Sequence, residues 1–132
     1  MATLSEMEPP EERELMEKCS KYLKTLGFHV LMDREVKRGH SQYGKTDIIA
    51  FKDETIYVIE CKYINNTNAT KKRKKVKDQA LRYASIIKLE KPHKIVKAYV
   101  FTNERLQFLQ IMSKEEATRR VIEYSAKANL RF

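Results

Sequence analysis

The chain has 132 residues and carries 27 Lys and Arg against 18 Asp and Glu, a formal net charge of +9. That length suits a single domain with a modest core, and the excess of cations draws polyanions whatever the fold. Two cysteines are too few for a disulfide framework. With neither a leader pattern nor an apolar run of bilayer length, the chain is expected to be intracellular, without a membrane partner. The expected compartment is the cytoplasm, or the nucleus in a eukaryotic or viral source.

Residues 1–10 end in Pro9-Pro10 and read as a flexible lead-in to a helix over 11–26. Leu15, Cys19, Tyr22, Leu23 and Leu26 form its apolar stripe, and Gly27 suits the position after its end. Glu12 falls in phase with that stripe, and an inward carboxylate needs a partner; Glu14 lies off it. A strand over 28–36 follows, then a polar loop at 37–45 with two glycines and the cations Lys37, Arg38 and Lys45.

Next come two strands, 46–51 and 55–62, joined by a turn at 52–54. In this hairpin Phe51 faces Thr55, and Asp47 falls close to Ile59 and Glu60. Strand side chains alternate, so Glu60 and Lys62 share a face while Cys61 points the other way. Two carboxylates and an amine on one face suit a divalent cation beside a positive group. Mg²⁺ or Mn²⁺ takes hard oxygen ligands, usually one or two carboxylates plus phosphate. A bound cation of this kind acidifies water and neutralises charge growing on a phosphate under attack. The lysine can orient the water or meet the phosphate. A surface Glu-x-Lys pair closing an apolar strand is the plain alternative.

After a polar loop at 65–70, the run Lys71-Lys72-Arg73-Lys74-Lys75-Val76-Lys77 leads into a helix ending near residue 89. Six cations at a helix start oppose the macrodipole, an arrangement a nucleic-acid phosphate would favour. A nuclear-import run and a solvated face are the competing readings. Gln79 and Tyr83 are placed with Val76 and Ile87 on the inward face. A strand over 94–102 should return parallel to the third. Residues 104–112 fit either a buried helix or a last strand. Ser113-Lys114-Glu115-Glu116 is a capping box opening a final helix to about 128.

Asp47 followed by Glu60-Cys61-Lys62 resembles the PD-(D/E)XK nuclease superfamily, the restriction-endonuclease-like fold, over about residues 11–103. Thr46 stands where many members have Pro. Glu12-Arg13-Glu14-Leu15 with Gly27-Phe28-His29-Val30 is similar to archaeal Holliday-junction resolvases and Mrr-type restriction enzymes. The resemblance implies an α/β core, a central mixed sheet of four to five strands flanked by helices in the order αβββαβ. It implies a Mg²⁺- or Mn²⁺-dependent DNA endonuclease, either selective for branched DNA or restriction-like, and a homodimer. Asp47 and Glu60 would hold the metal, joined by Glu12 as the first-helix glutamate, with Lys62 catalytic. Gln79, in a Gln-x-x-x-Tyr similar to that of RecB-like members, would support the site. Ser41 matches a loop serine of junction resolvases and joins Lys37, Arg38, Lys45 and Lys71, Lys72, Arg73, Lys74 and Lys75 as candidate DNA contacts; His40 in the same loop could act as an acid or a ligand, a solvated side chain being the plain alternative. The other expectations are a non-catalytic nucleic-acid-binding module of the same fold, an RNA-directed nuclease, and a basic structural protein of a ribonucleoprotein particle.

Overall fold

The computed structural model describes residues 10–38, 41–65 and 67–129, leaving aside the side chains of 37, 38, 41–43, 128 and 129. The expected lead-in therefore lies outside the described residues except for Pro10, which opens the first helix. The elements are α1 (Pro10–Thr25), β1 (His29–Arg38), β2 (Ser41–Lys52), β3 (Thr55–Lys62), α2 (Ala69–Glu90), β4 (Ile95–Thr102), β5 (Leu106–Ile111) and α3 (Lys114–Asn129). The strands form one five-stranded sheet in the order β1-β2-β3-β4-β5. Only the β3–β4 neighbours run parallel, joined through α2. This is the mixed α/β core that the sequence led us to expect.

The two faces of the sheet are served by different helices. Met16, Cys19 and Leu23 of α1 pack on Ile48, Ala50, Ile59 and Cys61. Tyr83, Ala84 and Ile87 of α2, with Ala117 and Val121 of α3, pack on Ile49, Ile56, Val58, Val96 and Ala98. β2, β3 and β4 thus divide their residues by parity between two cores. The stripe of α1 needs correction. Tyr22 and Leu26 are 61% and 46% exposed, while Met16 and Ser20 are buried. The helix has rolled by part of a turn toward its 16–20–23 face. That roll keeps Glu12, one turn before Met16, close to the sheet.

The expected loop at 37–45 is mostly strand. β1 runs to Arg38 and β2 starts at Ser41, with Lys37 paired to Gln42 and Arg38 to Ser41. A two-stranded ribbon is held by main-chain hydrogen bonds, so it needs no apolar alternation to betray it in the sequence. A register shift between Val36 and Lys37 marks where it leaves the packed sheet. His40 lies outside the described residues. Residues 104–112 resolve as the edge strand β5 instead of a buried helix. The capping box holds in one half: Ser113 Oγ accepts the Glu116 N–H at 3.1 Å.

The β2–β3 turn is one residue shorter than expected. Lys52 pairs with Thr55 and Phe51 with Ile56. Asp53 adopts a left-handed φ of 55°, a conformation Asp tolerates better than most residues, and this closes a two-residue connection. In a sheet, one residue of register changes which side chains face each other. Here the shorter turn selects Glu60 from the two expected neighbours of Asp47, since Ile48 already faces Ile59.

Candidate active site

Regular β2–β3 pairing runs back from the turn as far as Ile48 opposite Ile59. One step further, the carboxylates take over the ladder. The Asp47 N–H donates to Glu60 Oε2 at 2.9 Å, and the Cys61 N–H donates to Asp47 Oδ2 at 2.8 Å. Each acid thus accepts an amide of the opposite strand, fixing both side chains to the backbone on which they depend. Thr46 Oγ1 donates a second bond to the same Glu60 oxygen at 2.7 Å. A proline at position 46 has no such hydroxyl, so Thr46 adds a buried donor to the site.

Glu60 is only 3% exposed. Burial first, and the neighbouring Asp47 charge second, push its carboxyl up to about 8. The Thr46 hydroxyl and the Asp47 amide pull the other way without prevailing. Two acids held this close in a dry setting resist ionising together unless a cation joins them. Oxygen-rich, carboxylate-based and short of positive charge, this donor set fits Mg²⁺ or Mn²⁺. Among the described residues, however, no three Asp, Glu, His or Cys side chains gather as a preformed metal shell. Glu12 pairs with the expected site lysine: its Oε1 lies 2.8 Å from Lys62 Nζ, with Glu12 mostly buried and Lys62 about one third exposed. The pair ties α1 to the end of β3.

Tyr83, which the sequence placed in the core, also reaches this region. It is buried with the α2–α3 cluster, and its hydroxyl is pushed up by burial and then by the Glu60 carboxylate, with Asp47 adding to the effect. The Tyr83 hydroxyl presses on β2 so closely that a Cβ at Gly44 would sit 2.6 Å from it. Gly44 also has φ +131°, which side-chain-bearing residues rarely adopt. The glycine three residues before Asp47 was the visible signal for this approach. Asn103 was missed as well. Its amide accepts the Ile64 N–H at 2.6 Å and donates to the Ile64 carbonyl at 3.0 Å, holding the chain just after Lys62.

Gln79 does not share the inward face: it is exposed, while Val76, Ala80, Tyr83 and Ile87 are buried. Four residues span more than one helical turn, and the stripe of α2 follows 76, 80, 83–84 and 87. In the basic run, Lys71, Lys74 and Lys75 are exposed. Lys72 donates to Asn65 Oδ1 at 3.2 Å, and Arg73 forks onto Glu104 at 2.7 and 2.9 Å. α2 begins at Ala69, and its first turn holds no acidic residue. Lys45 is exposed on β2. The side chains of Lys37, Arg38 and Ser41 lie outside the described residues. A cleft of about 600 Å³ between β1 and the end of α2 is lined by Val36, Phe51 and Ile87 among others and includes neither carboxylate.

A UPF0102 protein of Campylobacter jejuni subsp. doylei is 39% identical over 57 residues, covering 43% of this chain and 47% of that one. Another from Campylobacter jejuni is 42% identical over 50 residues, 38% and 41% of the two chains. The chain spans about half the length of the curated relatives it matches. A protein of unknown function from Silicibacter pomeroyi superposes over 95% of this chain and 90% of its own, with 12% identity and a TM-score of 0.43. No helix among the described residues is long and apolar enough to cross a membrane. The nuclease-related domain model matches residues 10–121, from the start of α1 into α3, and the chain belongs to that family, within a nuclease superfamily.

Proposed function

We propose that this chain is a Mg²⁺- or Mn²⁺-dependent DNA endonuclease, akin in its site to junction resolvases and Mrr-type enzymes and acting on branched or restriction-type DNA. The observation that carries the reading is the pair of half-buried Asp47 and buried Glu60, each carboxylate bonded to the other strand's amide and Glu60 raised to about 8. Asp47 and Glu60 would hold the cation. When bound, it supplies an acidified water and neutralises charge on the phosphate. Thr46 keeps Glu60 aimed. Lys62 orients the attacking water or meets the developing charge on the scissile phosphate, and Glu12 fixes the lysine through their ion pair. Gln79, exposed on α2, is available to a bound strand or to the water. The free faces of Lys45, Lys71, Lys74 and Lys75 suit the DNA backbone, with Lys37, Arg38, Ser41, Lys72 and Arg73 as further candidates.

Plasmid, single-stranded and branched DNA incubated with Mg²⁺ or Mn²⁺ provide the test, with Glu60→Ala and Lys62→Ala alongside. Metal-dependent cutting that both substitutions abolish is the expected result. Equal cutting by wild type and variants, or none on any substrate, refutes the proposal. Calorimetric Mn²⁺ binding lost in Asp47→Ala separates an enzyme from a binding module of the same fold.

A further inference from the structure

α1 lies over β1, β2 and β3 and reaches β4 only at its margin. The same face of β5 is therefore left open, and that of β4 is covered only in part, with Tyr99 and Phe101 packed against the α1 cluster. A continuous row of rings crosses this face: Phe28 stands 5.1 Å from Tyr57, Tyr57 is 5.9 Å from Tyr99, and Tyr99 is 5.3 Å from Phe108, centroid to centroid. The row grows more exposed outward, and Phe108 is 49% exposed, beside Leu106 at 51%. Such rings on an edge strand are expensive to leave in water and are normally covered.

We propose that the open part of this sheet face binds single-stranded nucleic acid, its unstacked bases lying on Tyr99 and Phe108 at the outer end of the row. The charges choose this occupant. Lys97 Nζ lies 5.7 Å over the Tyr57 ring and Lys52 Nζ 5.0 Å over the Phe28 ring. No strand residue on this face of β3, β4 or β5 is acidic. Rings that accept base faces, bordered by cations that accept phosphates, are the two elements of single-strand recognition. A second copy docked here about a two-fold axis would bring its own lysines against these, with no carboxylate between them. Duplex DNA keeps its base faces covered and offers the row nothing to stack on. The site needs no metal and stands apart from the Asp47–Glu60 pair, so it does not depend on the nuclease reading.

The chain has 7 Tyr and no Trp, which makes intrinsic tyrosine fluorescence a direct probe. In EDTA, a fifteen-residue oligothymidine (~15 nucleotides, several per stacking platform) should quench it and bind wild type with saturation. Phe108→Ala should weaken that binding about tenfold while leaving duplex binding and the thermal melt unchanged; Phe108→Tyr should restore it. Lys97→Gln should lower the salt dependence of oligothymidine binding by about one phosphate's worth. Ultraviolet crosslinking of oligothymidine to wild-type protein should mark peptides of β4 and β5, independently of any variant. Unchanged affinity in Phe108→Ala, an equal loss for duplex, or crosslinks confined to other elements overturns the proposal. So does a concentration-dependent dimer that Phe108→Ala abolishes without affecting oligonucleotide affinity.

Discussion

Replacing Glu60 by Gln should flatten a pH dependence of stability that the wild-type protein carries in the absence of metal. The carboxyl is raised from 4.5 to about 8, chiefly by burial and then by Asp47. Between those values the folded protein keeps a proton that the unfolded chain has released. Stability is therefore full below about 4.5 and falls as pH rises toward 8. At about 1.4 kcal/mol per unit, the gap corresponds to a loss on the order of 3–5 kcal/mol. That is a large part of what holds a small domain together. Glutamine keeps the acceptor that Thr46 and the Asp47 amide use and never ionises, so wild type and Glu60→Gln should be similar near pH 5 and diverge above it. Urea unfolding from pH 5 to 8.5 in EDTA measures this, with Glu60→Gln becoming the more stable protein at the alkaline end. Saturating Mn²⁺ at pH 8 should then recover wild type and leave the variant unmoved, because a ligand of the folded state stabilises only what binds it. Parallel curves for the two proteins across the whole range would refute the claim that Glu60 resists ionisation.

Gly44→Ala should destabilise by about 1–3 kcal/mol, and Tyr83→Phe in the same chain should relieve part of the loss by removing the oxygen 2.6 Å from the new Cβ. Additive effects of the two in urea unfolding would mean that the contact is not felt. Glu12→Gln should lower the cleavage rate by up to about 100-fold through a loosened Lys62 while leaving Mn²⁺ affinity within a few-fold. A fall in Mn²⁺ affinity of about 10-fold or more would instead place Glu12 in the metal shell. Removing Lys71, Lys74 and Lys75 together should reduce the slope of log affinity for duplex DNA against log salt by about 2.7, at roughly 0.9 per phosphate contact. A slope unchanged by the triple substitution would make the run a solvated face.

What was legible in the sequence is what depends on neighbours along the chain. Ile56-Tyr57-Val58-Ile59 announces a buried strand, and the charged Glu-x-Lys at its end breaks a pattern that nothing local requires. Asp47 could be set against it because the intervening turn is short. The expected level, Ile59 or Glu60, was right to within one residue, and only the true turn length, with Lys52 opposite Thr55, selects Glu60. The first helix was legible as a helix, but its roll was not: Tyr22 and Met16 are both apolar, and only packing on β2 and β3 selects Met16. The β1–β2 ribbon stayed hidden for a different reason. Its pairing rests on main-chain bonds, which polar and glycine-rich residues make as well as any others.

The contacts that turn two acids into a site are the ones the sequence could not supply, because their partners lie far apart in the chain. Glu12 meets Lys62 across 50 residues of chain, and Tyr83 meets Gly44 across 39, each through a helix laid on the sheet. The two helices approach the acids from opposite faces. α1 brings Glu12 to the lysine, and α2 brings the Tyr83 hydroxyl against β2 on the side where Glu60 is raised. The carboxylates are themselves anchored to amides of the facing strand. Relaxing them would require β2 and β3 to part, which the turn at Asp53 and two packed cores resist. A cation entering here would find ligands already oriented and one proton to displace from Glu60. Its affinity should therefore rise with pH up to about 8 and level off above it, the same transition that weakens the metal-free protein.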